Sequence, residues 1–262
     1  MSFDAKKVKD EVVAWIRDWF EENGKGCNAV VAVSGGKDSS VVAALCVEAL
    51  GKERVLGVLL PKGEQFDINV SQALVAHLGI RNYTINIKDC YDGLVNELNA
   101  QLGEQNIQPQ TITNLPARLR MAATYAVAQS NNGRVANTCN LSEDWVGYCT
   151  IYGDSAGAFS PLGMYTTEEV IALGAELGLP ERFLIKPPSD GLTGKTDEDN
   201  LGFTYHAVNE YVRRGVVDPA IKEQIDRKHK VSRFKFQTLP VYQNGLPIVL
   251  PEETDYYNPN KK

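Results

Sequence analysis

The sequence has few cysteines and histidines, and none of them is spaced for a metal site. Its five cysteines form no CxxC pair, and its three histidines show no zinc-binding spacing. Two of the cysteines belong to apolar runs, such as Cys46 within VVAALCVEAL. An odd number of cysteines, with two in such runs, is typical of reduced, mostly buried thiols in a cytoplasmic protein. A disulfide framework and a zinc finger are therefore not expected.

Long apolar runs and an excess of positive charge are also missing. No stretch approaches the roughly 20 apolar residues of a membrane helix, and the charged N-terminus is unlike a signal peptide. There are 27 Lys and Arg residues against 33 Asp and Glu residues, a net charge of −6, so nucleic acid is not an expected partner. One short basic cluster either binds a small anionic ligand or is simply a solvated face. It consists of Arg227, Lys228, Lys230, Arg233 and Lys235.

Strand and helix patterns alternate along the 262 residues, which suits one large α/β domain. A first helix over 4–23 carries Val8, Val12, Trp15 and Trp19 on one stripe. Apolar runs then predict parallel strands, and each is followed by a helical pattern. We expect a doubly wound parallel sheet with ligands at the carboxyl ends of its strands. The predicted strands lie at about 27–33, 54–60, 82–87 and 134–138, and the helix after the first strand at 39–50.

The remaining domain boundaries follow from composition. The segment 186–200 is polar and rich in Pro, Gly and Asp, and we expect a mobile cover that closes over bound ligands. We treat the chain as one domain, 1–262, with a nucleotide-binding core at 27–180, a helical segment at 204–235 and a tail at 236–262.

The strongest local signal is VVAVSGGKDSS at 30–40. A buried strand, a glycine turn and a helix start follow one another, which brings free N–H groups and the helix dipole to one anion site. Gly35 and Gly36 let the backbone approach a bulky oxyanion, and Ser34 and Ser39 add hydroxyl donors. The motif is not a Walker A loop, since no GK[ST] follows.

Two carboxylates are predicted to face this anion site. Asp38 would repel a phosphate unless a cation lay between them, and Mg²⁺ commonly holds phosphates in this way. Thr138 is expected at the carboxyl end of the fourth strand, and Glu143 on a helix that faces the same crevice. Alone, Glu143 is better interpreted as a first-turn glutamate that the helix dipole favours. Paired with the loop, Asp38 and Glu143 are predicted magnesium ligands.

The SGGxDS loop resembles the pyrophosphate-binding loop of the N-type ATP pyrophosphatases, which split ATP into AMP and pyrophosphate. With LPARLRMAATYA, NTxxxSE, YGD, LGFTY and a late His-Lys pair, the chain resembles the ammonia-dependent NAD synthetases from about Asp10 to Lys235. The resemblance implies a homodimer of the adenine nucleotide alpha-hydrolase-like fold, with five strands in the order 3-2-1-4-5. It also implies that ATP, with Mg²⁺, adenylates deamido-NAD and that ammonia then displaces AMP. No covalent nucleophile is needed.

The resemblance also implies roles for individual residues. The expected ATP-binding residues are Val33, Ser34, Gly35, Gly36, Lys37, Asp38, Ser39, Thr138, Thr167 and Ser189. The expected deamido-NAD-binding residues are Arg118, Ile151, Ala158, His229 and Lys230.

Four of these positions depart from the family pattern. Ile151 and Thr167 replace lysines, Ala158 replaces an aspartate, and Ser189 replaces a threonine. Because Ile151 and Ala158 replace a lysine and the aspartate that usually joins it, neither charge is left without its partner. Lys186 or Lys195, on the polar segment, are candidates for the missing phosphate-binding charge.

Two alternatives stay open. One is another pyrophosphate-loop enzyme, either GMP-forming or tRNA-thiolating, although an acidic chain without CxxC argues against thiolation. The other is a catalytically silent nucleotide-binding relative, which the replaced positions keep open. With 26 residues before the first strand, we expect no glutaminase region, so ammonia arrives free or from a partner.

Overall fold

The computed structural model describes residues 3–65, 67–185, 196–237 and 239–242. Within these ranges the core is a parallel sheet of four strands in the order β3-β2-β1-β4. The residues of β2 are all buried and the middle of β1 is buried, as expected for strands covered on both faces. The strands are β1 (Asn28–Ala32), β2 (Val55–Leu59), β3 (Arg81–Thr84) and β4 (Gly133–Val135).

Helices cover both faces of this sheet. On one face α1, α2 and α7 pack against alternate residues of β1, such as Val31, whereas Val30 points to the other face and packs with α5. The helices are α1 (Ala5–Asn23), α2 (Lys37–Leu50), α3 (Ile68–Leu78), α4 (Lys88–Leu102), α5 (Pro109–Ser130), α6 (Leu141–Trp145), α7 (Thr167–Glu176), α8 (Asp197–Leu201), α9 (Tyr205–Arg214) and α10 (Pro219–Ser232).

The predicted α/β fold with a parallel sheet is confirmed, but the five-stranded order is not. The segment beyond β4 contributes one parallel bridge, between Ala136 and Phe159, rather than a strand among the described residues. The fourth strand also ends at Val135, earlier than predicted. Its end has a local cause, because the side chain of Asn137 accepts a hydrogen bond from the backbone N–H of Cys139 (3.0 Å) and turns the chain away from the sheet.

The apolar stripe of α1 differs from its prediction. The helix buries Val12, Val13, Ile16 and Phe20, whereas Trp15 is 43% exposed. Trp19 stacks on Phe159 within the same chain, at 4.9 Å between ring centroids. The aromatic residues of α1 are thus largely used within the chain and do not by themselves mark a surface for a second copy.

The segments that flank the nucleotide loop also differ in their bounds. Helix α2 begins at Lys37 rather than Ser39, which puts Lys37 and Asp38 in its first turn. Thr196 caps α8, so the predicted cover 186–200 already becomes helical near its end. Residues 186–195, with Lys186, Ser189 and Lys195, lie outside the described residues, as does the chain after 242. No helix in the described ranges is long and apolar enough to cross a bilayer.

Candidate active site

The loop 33–36 joins β1 to α2 at the carboxyl edge of the sheet. The backbone N–H of Val33 donates to the carbonyl of Val58 (2.8 Å) and extends the ladder by one residue. Gly35 then adopts φ +75, and a Cβ at this position would lie 2.9 Å from the backbone nitrogen of Ser71. Only glycine combines this conformation with such a close approach to α3.

Hydroxyl groups hold the loop in shape. The Oγ atoms of Ser34 and Ser39 are 3.1 Å apart, and Ser34 Oγ accepts a hydrogen bond from the N–H of Gly36 (3.2 Å). Ser39 Oγ accepts from the N–H of Ser34 (3.2 Å), and Ser40 Oγ donates to the carbonyl of Gly36 (2.8 Å). The loop is therefore preformed around donors that an anion can use, and Ser34 is exposed.

Two carboxylates and one ammonium meet beside this loop. Nζ of Lys37 lies 2.9 Å from Oδ2 of Asp38 and 3.9 Å from Oε1 of Glu143. Lys37 is only 6% exposed, and both carboxylates are largely shielded from solvent. The structure thus brings together the two residues predicted from separate strand ends to bind magnesium.

The electrostatics of this cluster follow from its burial. Burial and the nearby charge of Asp38 raise the pKa of Glu143 well above its usual value, although Lys37 opposes the shift. Burial favours the neutral amine of Lys37, but the attraction of Asp38 and Glu143 outweighs it and the pKa of Lys37 is raised. The cluster is consequently short of positive charge.

Asn140, which the sequence analysis missed, connects the two halves of the site. It is fully buried, its Nδ2 donates to Oδ1 of Asp38 (2.9 Å), and its Oδ1 accepts from the N–H of Glu143 (3.1 Å) as the cap of α6. The pattern Asn140-x-x-Glu143 is a helix-start signal from which the cap could have been predicted. Its contact with Asp38 has no local signature.

The start of α8 supplies a third acidic residue that was also missed. Asp197 is buried, and its charge raises the pKa of both Lys37 and Glu143. Nearby, the hydroxyl of Tyr205 is buried and has no hydrogen-bond partner among the described residues, and burial raises its pKa. The Thr196-x-x-Asp199 capping box marks the start of α8 in the sequence, but nothing local predicts that α8 packs here.

Thr167 has a different environment from the one expected for a phosphate contact. It is buried, its N–H donates to Ser142 Oγ (3.1 Å), and its Oγ1 accepts from Asn209 Nδ2 (3.0 Å). Ser142 in turn donates to Asn209 Oδ1 (2.6 Å). These bonds join α6, α7 and α9 behind Glu143. Thr138 is half-buried between β4 and α6.

Of the residues predicted to bind deamido-NAD, two pairs lie together. The side chain of exposed Arg118, on α5, donates from Nε to the carbonyl of Ile151 (3.3 Å). His229 and Lys230 lie on α10, where the His229 ring stacks on Trp145 at 4.1 Å between centroids. His229 Nδ1 is 2.8 Å from the carbonyl of Trp145, which can only accept, so Nδ1 carries the hydrogen.

The fifth residue predicted to bind deamido-NAD, Ala158, lies at an open cavity of about 410 Å³. Ala158 lines it, together with Asp144, whose buried Oδ1 finds no hydrogen-bond partner in the part of the chain that the structure describes. Lys235, from the basic cluster, also lines it, and its Nζ donates to the carbonyls of Gly147 and Cys149, both at 2.8 Å. At least this lysine of the cluster is therefore used to fix the turn after α6.

Comparisons with known proteins agree on one family. A model of the NAD synthase family matches residues 8–243. The NH(3)-dependent NAD(+) synthetase of Pyrococcus horikoshii is 38% identical over 218 residues, which cover 82% of each chain. The solved NMN synthetase from Francisella tularensis has a TM-score of 0.84 at 32% identity and covers 93% of this chain and 100% of its own. The NAD+ synthetase from Burkholderia pseudomallei has a TM-score of 0.76 at 28% identity, with 91% and 92% covered. The chain therefore belongs to the NAD synthase family and is an enzyme, a ligase of ammonia-dependent NAD synthesis.

Proposed function

We propose that this enzyme adenylates the nicotinate carboxylate of deamido-NAD with ATP and lets ammonia displace AMP, giving NAD, AMP and pyrophosphate. One observation supports this mechanism above the others. A preformed pyrophosphate loop lies beside Asp38 and Glu143, which share one buried cation, Lys37 Nζ, at 2.9 and 3.9 Å. This arrangement suits polyphosphate and a second cation, and its described residues include no nucleophile with an activating base.

The donors present fit Mg²⁺. Asp38 and Glu143 provide carboxylate oxygens, which hard cations prefer, and Mg²⁺ is usually held by one or two carboxylates together with substrate phosphates and water. No group of three or more acidic, His or Cys residues among the described ones is arranged to hold a metal ion by itself, so phosphates would complete the coordination. When bound, Mg²⁺ would offset the negative charge of the pyrophosphate as it leaves.

The chain's own groups would position the reactants. The amides and hydroxyls of the loop 33–39 hold the phosphates, and the dipole of α2 favours their charge. Asn140 keeps the carboxylate of Asp38 oriented. We place the nicotinate-bearing substrate between the Arg118–Ile151 contact and α10, where His229 and Lys230 lie. Bringing two anions together in one orientation accounts for much of the rate enhancement expected here.

A product assay tests this proposal. Protein, ATP, Mg²⁺, ammonium and deamido-NAD should yield NAD, AMP and pyrophosphate in equal amounts. Cleavage to ADP and phosphate would contradict adenylation, and the absence of any turnover would favour a silent nucleotide-binding relative. GMP formation from xanthosine monophosphate serves as the assay for the other pyrophosphate-loop alternative.

A second candidate substrate is nicotinate mononucleotide. The NMN synthetase from Francisella tularensis matches this chain with the TM-score of 0.84, against 0.76 for the NAD+ synthetase from Burkholderia pseudomallei. Ile151 and Ala158 also lack the charged groups that the family resemblance associates with deamido-NAD. A mononucleotide is smaller and needs fewer polar contacts. Amidation of the mononucleotide gives NMN, which still belongs to NAD synthesis.

The two substrates are distinguished by their kcat/KM values under identical conditions. A higher value for deamido-NAD supports the first candidate, and a higher value for nicotinate mononucleotide supports the second. The double variant Ile151→Lys with Ala158→Asp is the matched test of the cause. If these positions set the preference, the double variant should raise kcat/KM for deamido-NAD relative to that for nicotinate mononucleotide. Lys25→Ala, on the surface, should leave this ratio unchanged.

Three further features belong to the proposal. We infer a homodimer, on family resemblance, and light scattering at micromolar concentration tests it. We infer a cytoplasmic location from the cysteine pattern. We also infer that the segment around Phe159 stands in the place of a fifth strand, in the order 3-2-1-4-5, because it bridges Ala136 in parallel.

A further inference from the structure

The ammonium of Lys37 lies beside the two carboxylates, Asp38 and Glu143, that are proposed to bind a divalent cation. The side chain of Lys37 is buried, and its Nζ is 2.9 Å from Asp38 Oδ2 and 3.9 Å from Glu143 Oε1. The other oxygen of Asp38 is already held by Asn140 Nδ2 at 2.9 Å. Both oxygens of Asp38 are therefore engaged before any ligand binds.

We propose that Lys37 is a tethered cation that competes with the divalent metal for Asp38 and Glu143, so that metal and nucleotide bind cooperatively. The inference rests on the proposed assignment of these two carboxylates as metal ligands.

Electrostatic repulsion between the metal ion and the Lys37 ammonium is the cause of the competition. A magnesium ion bound at ~2.1 Å to Asp38 Oδ2 would share that atom with an ammonium 2.9 Å away. Two cations on one oxygen repel each other strongly in a partly buried site, where the dielectric constant is low. Lys37 must therefore leave Oδ2 when the metal arrives.

The displaced ammonium needs a new anionic partner. An ammonium has three donors and no acceptor, and a buried charge without a partner is costly. Lys37 is the first residue of α2, directly after the loop that is proposed to hold the phosphates. A bound polyphosphate supplies the new partner in reach of the same side chain. Metal alone takes Asp38 and Glu143 away from Lys37, whereas metal with nucleotide gives Lys37 a new partner in their place.

This coupling has a consequence for the order of binding. In the free protein Lys37 neutralises part of the acidic cluster, so a divalent cation alone binds weakly. ATP draws the ammonium away and opens Asp38 and Glu143 to the metal. By linkage, the metal tightens nucleotide binding by the same factor.

The probe is Mn²⁺, whose free concentration electron paramagnetic resonance measures directly. Titrations are made on the full chain, with and without α,β-methylene-ATP, which the proposed reaction cannot cleave, and the Mn²⁺ that the analogue binds without protein is subtracted. Lys37→Met removes the charge and keeps an apolar stem of similar length, and Lys37→Gln is the second neutral variant should the first not fold. Lys37→Arg retains a cation. Lys88→Met removes a lysine paired with Asp92 on α4, far from the loop in sequence.

In the wild type, nucleotide should tighten Mn²⁺ binding by about tenfold or more, which corresponds to about 1.4 kcal/mol. Both neutral variants should bind Mn²⁺ alone more tightly than the wild type and lose most of the coupling. Lys37→Arg and Lys88→Met should keep it. Equal Mn²⁺ affinity in the wild type and the neutral variants, or weaker binding in the variants, would overturn the inference while the metal assignment stands.

The assignment of the metal ligands is tested separately. Asp38→Asn should abolish Mn²⁺ binding in the presence of the nucleotide analogue. If wild type does not bind Mn²⁺ even with the analogue, or Asp38→Asn binds it normally, the proposed metal site itself is wrong and the inference falls with it.

Discussion

Asn140 and Asp38 lie 102 positions apart in the chain and are joined by a hydrogen bond of 2.9 Å from Nδ2 to Oδ1. Asn140 uses its other atom, Oδ1, to accept the N–H of Glu143 and cap α6. One buried side chain thus holds the carboxylate of Asp38 and fixes the start of the helix that carries Glu143. The distance between the two proposed metal ligands depends on it.

Asn140→Ser should separate these two roles. Serine caps helices about as well as asparagine, so the free energy of unfolding should fall by no more than about 0.5 kcal/mol from the cap itself. Its short side chain cannot reach Asp38, so turnover should fall and the Mg²⁺ concentration for half-maximal rate should rise. Thermal unfolding and Mg²⁺ titration of the rate measure the two effects. Unchanged Mg²⁺ dependence would mean that the contact with Asp38 has no part in metal binding.

Asp38→Asn and Glu143→Gln should each lower turnover by about a hundredfold or more, since loss of a metal ligand removes several kcal/mol of transition-state stabilisation. The fold should persist, because both replacements are isosteric and can keep a hydrogen bond. Circular dichroism checks the fold, and NAD formation at limiting Mg²⁺ measures the rate. Asp10→Asn, on the exposed part of α1, is the matched control. A variant with near-normal activity would show that its carboxylate is not a ligand.

Asn209→Leu tests whether the buried network behind α6 positions Glu143. The change leaves the Ser142 and Thr167 hydroxyls without their partner, which should lower the free energy of unfolding by about 1–3 kcal/mol. Turnover should fall with little change in KM, because the network touches the metal side of the site. Thr167→Val, which removes one hydroxyl and keeps the Ser142–Asn209 bond, should have a smaller effect on both. If Asn209→Leu lowers stability but leaves the Mg²⁺ dependence of turnover unchanged, the network serves the fold alone.

The ion pair between His206 and Glu168 should make the link between α7 and α9 depend on pH. His206 Nδ1 lies 2.6 Å from Glu168 Oε1, and this hydrogen bond raises the pKa of His206 above 6.5. A raised pKa means that the contribution to stability is complete below pH 6.5 and is lost as the pH rises through the folded-state value. His206→Gln should therefore lower stability slightly at pH 6 and not at pH 9. Urea unfolding of both proteins at the two pH values measures this. If His206→Gln lowered the free energy of unfolding by the same amount at pH 6 and pH 9, the ion pair would not be the cause of the pH dependence.

The parts that the sequence predicted correctly are those with local causes. The order strand, glycine turn and helix start predicted the loop 33–36, since each element has its own signature in neighbouring residues. The meeting of Asp38 with Glu143 followed from a rule of parallel sheets, in which strand ends share one edge. The bounds of α2 were wrong by two residues, because Gly36 caps the helix without a side-chain signal.

The parts that the sequence did not predict depend on long-range packing. Asn140 reaches Asp38, Asp197 enters the cluster from α8, and Asn209 binds Thr167 from α9, each across a long separation in the chain. The exposure of Trp15 was missed because the periodicity of apolar residues along α1 does not fix which side of the helix packs against the rest of the fold. Thr167, expected at the phosphates, instead lies in a buried network.

Oxygen transfer tests the central claim most directly. The carboxylate of deamido-NAD is labelled with ¹⁸O and the enzyme is supplied with ATP, Mg²⁺ and ammonium. Adenylation joins a carboxylate oxygen to the α-phosphate, and ammonia then breaks the acyl C–O bond, so one ¹⁸O should leave in AMP, as mass spectrometry of the AMP will detect. AMP without label, or label in inorganic phosphate, would contradict activation of the carboxylate by adenylation.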